Sequence, residues 1–78
     1  MSNPIETELF MRLHSLVKEW EGKENYRVPP EVITEMFNVH NQLFPDKPEY
    51  SKGCGGCRER LWNRLKAHYH AEKLKYGL

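Results

Sequence analysis

Apolar side chains recur every three or four positions in three separate stretches of this chain, and each stretch is bracketed by residues that start or stop helices. In the first, Ile5, Leu9, Phe10, Leu13, Leu16, Val17 and Trp20 fall on one stripe. Asn3 is placed to cap it, Pro4 suits the first helical position, and Glu6 and Glu8 sit where the helix dipole favours negative charge. The pattern predicts a helix over 4–20, ended by Gly22 and the polar run after it. The Pro29-Pro30 pair then imposes extended backbone and restarts the chain with Pro30 inside a new first turn. Ile33, Met36, Phe37, His40, Leu43 and Phe44 share the next face, predicting a helix over 30–44 that Pro45 stops.

The connector that follows holds Pro45, Pro48 and the Gly55-Gly56 pair. It reads as a bent loop close to the longest found without structure of its own, so something must hold it down. The third predicted helix covers 57–76. Cys57, Leu61, Leu65, His68 or Tyr69, and Tyr76 mark its inward face, and Trp62 flanks them. Arg60, Asn63, Arg64 and Ala67 fall on another face, with Lys66, His70 and Lys73 beside it. Lys73 and Lys75 suit a helix C-terminus, and Gly77 is a natural stop. With no strand signal and no internal repeat, the expectation is an all-α fold: one domain over 1–78, three helices in up-down-up order, and a long loop before the third.

Length restricts this further. A chain of 78 residues can build one core only, burying about 60% of the surface its unfolded form exposes. The hydrophobic fraction of 38% is low, but the apolar residues are large and periodic, which favours a packed helical fold over disorder.

The formal net charge of +1 hides a division. Residues 1–50 carry five Lys/Arg against nine Asp/Glu, a net −4, and residues 51–78 carry seven against two, a net +5. The asymmetry points to a partner that presents negative charge to the C-terminal part, unless the two halves simply attract each other. The first residues show no basic-then-apolar leader pattern, and no apolar run approaches the roughly 18 residues that span a bilayer. Two cysteines at this spacing are no secreted disulfide framework, so the expectation is a cytoplasmic protein without a membrane partner.

Cys54 and Cys57, in "SKGCGGCRERLWNRLKAHYH", admit three readings. A Cys-x2-Cys pair is half of many zinc sites, because two thiolates at that spacing reach one tetrahedral ion. His68 lies eleven residues beyond Cys57, about 16 Å along a continuous helix, which leaves His40 as the third candidate ligand. The second reading is a redox pair, since Cys-Gly-Gly-Cys can close a disulfide, although the usual strand-turn-helix platform is missing. The third takes Cys57 as a small buried hydrophobe and the glycines as the means of turning into the helix. The pattern favours this third reading, and thus no cofactor, with zinc on Cys54, Cys57 and His40 as the exception.

Catalytic signatures are missing: there is no phosphate-binding glycine loop after a strand, no His-Glu-x-x-His and no nucleophile elbow, so no enzyme is expected. Binding remains. Basic residues interleaved with aromatics suit phosphate contacts and stacking, making Lys52, Arg58, Arg60, Trp62, Arg64, Lys66 and Lys73 the candidate nucleic-acid contacts. The same Arg and aromatic side chains would also serve a module, or inhibitor, docking on a host protein. A helix-turn-helix is excluded by the long connector, where that motif uses about 3 or 4 residues.

The segment "NVHNQLFPDKPEYSKGCGGCRERLWNRLKAHY", residues 38–69, resembles a pattern in small proteins encoded by tailed bacteriophages. There a helix ends in an Asn-containing Leu/Ile-Phe turn, followed by a Ser/Lys-rich loop, Cys-x2-Cys and a basic helix. The resemblance implies a phage product acting in the bacterial cytoplasm through interaction rather than catalysis, and it carries over no catalytic residue and no metal.

Overall fold

The computed structural model describes residues 4–23, 27–50 and 53–78, and for Pro4 and Ile5 the backbone alone. The expected cap Asn3 and the candidate contact Lys52 lie outside the described residues. The fold is all-α: α1 spans Pro4–Trp20, α2 spans Pro30–Leu43 and α3 spans Gly55–Glu72, followed by a 3₁₀ turn at Lys73–Tyr76. None of these helices is long and apolar enough to cross a membrane.

The stops and starts follow from local chemistry. Gly22 takes φ +85°, the left-handed conformation that closes a helix at least cost for glycine, and α1 ends there. Pro29 is extended, with φ −60° and ψ 147°, and its carbonyl accepts from the N–H groups of Val32 and Ile33. Pro30 at the first helical position gives up no hydrogen bond. α2 stops one residue sooner than expected: Phe44 returns its N–H to the His40 carbonyl at 2.8 Å but leaves helical geometry, with φ −125° and ψ 67°.

α3 departs from expectation at both ends. It begins at Gly55 rather than Cys57, because the Cys54 sulfur accepts from the Cys57 N–H and serves as the cap. It is not one rod to residue 76: at Glu72 φ moves to −108°, the winding tightens into the 3₁₀ turn, and Gly77 at φ +76° terminates it.

The core is a single cluster in which Leu13, Val39 and Leu65, one from each helix, are completely shielded from solvent, with Phe10, Phe37, Leu61 and Tyr69 around them. Between α2 and α3, His40 meets Arg64 and Phe44 meets His68, so the partners advance together. Along this seam α2 and α3 run in the same sense. α1 packs across both: Arg12 pairs with Glu35 on α2, Phe10 lies against Tyr69 and Tyr76 beyond α3's midpoint, and Glu21 just past the end of α1 meets His70.

The long connector makes this topology possible, because a short turn would have forced α3 straight back along α2. Asn41 holds it in place. Its side-chain oxygen accepts from the Glu49 N–H and its amide donates to the Glu49 carbonyl, both at 2.9 Å, laying the connector back along α2.

Candidate functional site

α3 sends its polar residues in two directions, and the division differs from the one the sequence suggests. Arg64 turns inward. Its Nη1 donates to His40 Nε2 at 2.9 Å, and its guanidinium lies 5.8 Å from the centre of the Phe44 ring. His40 Nδ1 donates in turn to the Asn41 oxygen at 2.9 Å, so the ring accepts at one nitrogen and carries its proton on the other. Arg64, His40, Asn41 and the Glu49 backbone thus form one hydrogen-bonded relay from α3 to the connector. His40 is completely buried within it, and no buried side-chain polar atom among the described residues lacks a partner.

This relay corrects two expectations. Arg64 is a structural link rather than an outward phosphate contact. His40 is not available to a metal, since both ring nitrogens are committed and the neighbour at Nε2 is a cation. Among the described residues no three His, Cys, Asp or Glu side chains are grouped to hold a metal ion. Cys54, Cys57 and His40 are not brought together, so the chain's donors do not fit the zinc site that the spacing suggested.

Cys54 and Cys57 are instead bonded to each other, their Cα atoms 5.2 Å apart. Cys57 is half-buried rather than enclosed, and Cys54 and the two glycines are exposed. Arg60 Nη2 lies 3.7 Å from the Cys57 sulfur, and the Cys57 N–H lies 3.2 Å from the Cys54 sulfur.

Trp62 turns inward as well. It is 7% exposed and belongs to the core, so it offers little of its face to a base. It forms part of the floor of an open cleft of about 920 Å³ between the C-terminal end of α1, the start of α2 and the start of α3. Trp20, Pro30, Ile33 and Phe37 complete that floor, while Lys23, Arg27, Arg58 and Lys66 stand at its edges with Glu59. Lys66 passes over the Trp62 ring at 5.8 Å from its centre. Lys23, Arg27 and Arg58 are exposed, and among the described residues no carboxylate pairs with them.

Of the expected nucleic-acid contacts, then, Arg58 and Lys66 reach this cleft, Arg60 stands exposed beside the cysteines, and Lys73 lies half-buried in the 3₁₀ turn. Lys23 and Arg27 were missed, because they lie in the acidic part of the chain and only the fold brings them opposite α3. A clue was present: two of the first part's few cations cluster in the α1–α2 connector, beside the start of α2.

The opposite end of α3 is closed by rings. Phe10 stacks on Tyr76 at 4.1 Å and on Tyr69 at 5.4 Å, and the Tyr69 hydroxyl meets His14 Nδ1 at 2.6 Å. His68 packs edge-on against Phe44 at 5.4 Å, and burial pushes its pKa below the usual histidine value against the weaker pull of Glu72. His70 reaches Glu21 at 2.7 Å and ties α3 to the end of α1. Comparison of the chain with protein families, characterised proteins and solved structures finds no match.

Proposed function

We propose that this chain is a small binding module, encoded by a phage and acting in the bacterial cytoplasm, that holds nucleic acid at the cleft between the start of α3 and the α1–α2 connector. The observation that carries the reading is the convergence of Lys23, Arg27, Arg58 and Lys66, from separate parts of the chain, around a floor of Trp20, Pro30, Ile33, Phe37 and Trp62. Cations at the edge suit phosphates, and the half-buried Trp20 ring, unlike the enclosed Phe37 and Trp62, retains surface for the face of an unpaired base, which favours a single strand over a duplex. Electrostatic attraction at such a site supplies affinity without demanding one sequence.

The test is titration of a labelled, mixed-sequence single strand by fluorescence anisotropy at several salt concentrations. Affinity is expected to fall steeply with salt and to be lost in the double variant Lys23→Glu, Arg58→Glu, with helicity by circular dichroism unchanged. Undiminished affinity in that variant would remove the cleft from the reading. The same floor contains residue types that anchor protein interfaces, and this favours docking on a host protein as the second reading. Capture of one protein partner by a contact insensitive to salt would decide for it.

A further inference from the structure

The Cys54–Cys57 bridge joins two residues within one turn of the same helix start, so it ties no two elements together. The loop it closes is also too short to restrict much of the unfolded chain, which makes it a poor staple. What distinguishes the pair is its surroundings. Cys54 is exposed, and its sulfur accepts a hydrogen bond from the Cys57 N–H at 3.2 Å, at the positive end of the 18-residue helix α3. The Cys57 sulfur, half-buried, has the Arg60 guanidinium 3.7 Å away. Each sulfur therefore has its own group able to stabilise negative charge, supplied by the start of α3.

From this arrangement we infer that Cys54 and Cys57 form a thiol–disulfide exchange site whose co-reactant is a thiol, either of low molecular weight or on a protein. In the first step the incoming thiolate attacks the Cys54 sulfur, the more exposed of the two. A new sulfur–sulfur bond forms on Cys54, the bond to Cys57 breaks, and the electron pair leaves on the Cys57 sulfur beside Arg60. In the second step another thiolate attacks the outer sulfur of that mixed disulfide. The co-reactant departs as its own disulfide, and Cys54 leaves as a thiolate facing the Cys57 N–H. Two thiols have become one disulfide, and the protein's disulfide has become a dithiol, with protons exchanged with solvent. Run in reverse, the steps oxidise the dithiol at the expense of a small disulfide. This chemistry is independent of the nucleic-acid reading, since it needs neither the cleft floor nor its cations.

The experiment equilibrates the full chain in glutathione buffers of graded poise, quenches with acid and counts alkylated thiols by mass spectrometry. The pair is expected to pass between disulfide and dithiol in one step, and Cys57→Ser is expected to capture glutathione on Cys54. Reduction by dithiothreitol is expected to run about tenfold faster than in a free peptide of residues 50–60, because the folded helix start favours the departing thiolate. Arg60→Gln should slow it several-fold and Arg60→Lys should restore most of the rate, with helicity unchanged in both. Reduction no faster in the protein than in the peptide would overturn the inference. So would a Cys57→Ser variant that takes up no glutathione, or a reduced chain that binds one equivalent of zinc and no longer reoxidises.

Discussion

The two ends of the helix triplet are built from similar residues put to opposite uses. At one end Phe10 stacks on both Tyr69 and Tyr76, with His68 and Phe44 beside them, and the rings close the core. At the other, Trp20, Phe37 and Trp62 line an open cleft with Lys23, Arg27, Arg58 and Lys66 at its edges. The difference teaches that an aromatic or basic residue on α3 acquires its role from the end it faces. Tyr69 is 2% exposed and structural, while Arg58, three turns earlier on the same helix, meets solvent and lines the cleft.

The sharpest way to break this comparison is to truncate one ring at each end. Phe10 is 1% exposed and makes both stacking contacts, so Phe10→Ala is expected to cost about 3–5 kcal/mol, a large share of a small domain's stability. Trp20 at the cleft is only half-buried, and Trp20→Ala should cost far less, about 1 kcal/mol. Urea denaturation followed by circular dichroism reads both. Equal losses would mean that the cleft end is as closed as the other.

The two arginines of α3 give the next largest contrast. Arg64→Ala removes the donor to a completely buried His40 nitrogen, at an expected cost of about 1–3 kcal/mol. Arg58 makes no such contact, so Arg58→Ala should leave stability within about 0.5 kcal/mol. Its effect belongs to binding: loss of one phosphate contact should flatten the plot of log affinity against log salt by about 0.7 for a single strand. A stability loss for Arg58→Ala matching that of Arg64→Ala would erase the distinction between the two.

Periodicity explains why the helices were legible and the interface was not. The stripes through Leu9, Leu13 and Val17, and through Leu61, Leu65 and Tyr69, are properties of one helix each, and all six residues are buried. Gly22, Pro30 and Gly77 act through their own backbone angles, so those boundaries were legible too. The inward turn of Arg64 depends on His40 lying opposite, and that depends on α2 and α3 running in the same sense. Nothing local to either helix encodes their relative direction. The same holds for Lys23 and Arg27, which join the cleft only after the connector has carried α3 back to the start of α2. Asn41, which clamps that connector, resembles any helix-end asparagine until its partner Glu49 is in view.

The smallest expected effect, and the one that probes the closed end most selectively, is a dependence of stability on pH through His68. The imidazole lies between the Phe10 and Phe44 rings, with Glu72 favouring its charged form and Lys75 opposing it. Burial outweighs Glu72, so the folded pKa falls below the model-compound value of 6.5. The unfolded chain therefore takes up this proton more readily than the folded one, and the linkage has a definite sign. The contribution is fully present above about pH 6.5 and is lost as pH falls from there through the lowered folded value. Glu72, whose pKa is itself lowered by its hydrogen bond to Lys75, changes charge below 4.5 and does not enter the same window. Urea midpoints at pH 7.5 and pH 5.5 should differ more in the wild-type chain than in His68→Gln, the other histidines being common to both. An undiminished difference in the variant would mean that the closed end admits enough water to keep His68 solvated, and its ring closure would then be no tighter than the cleft.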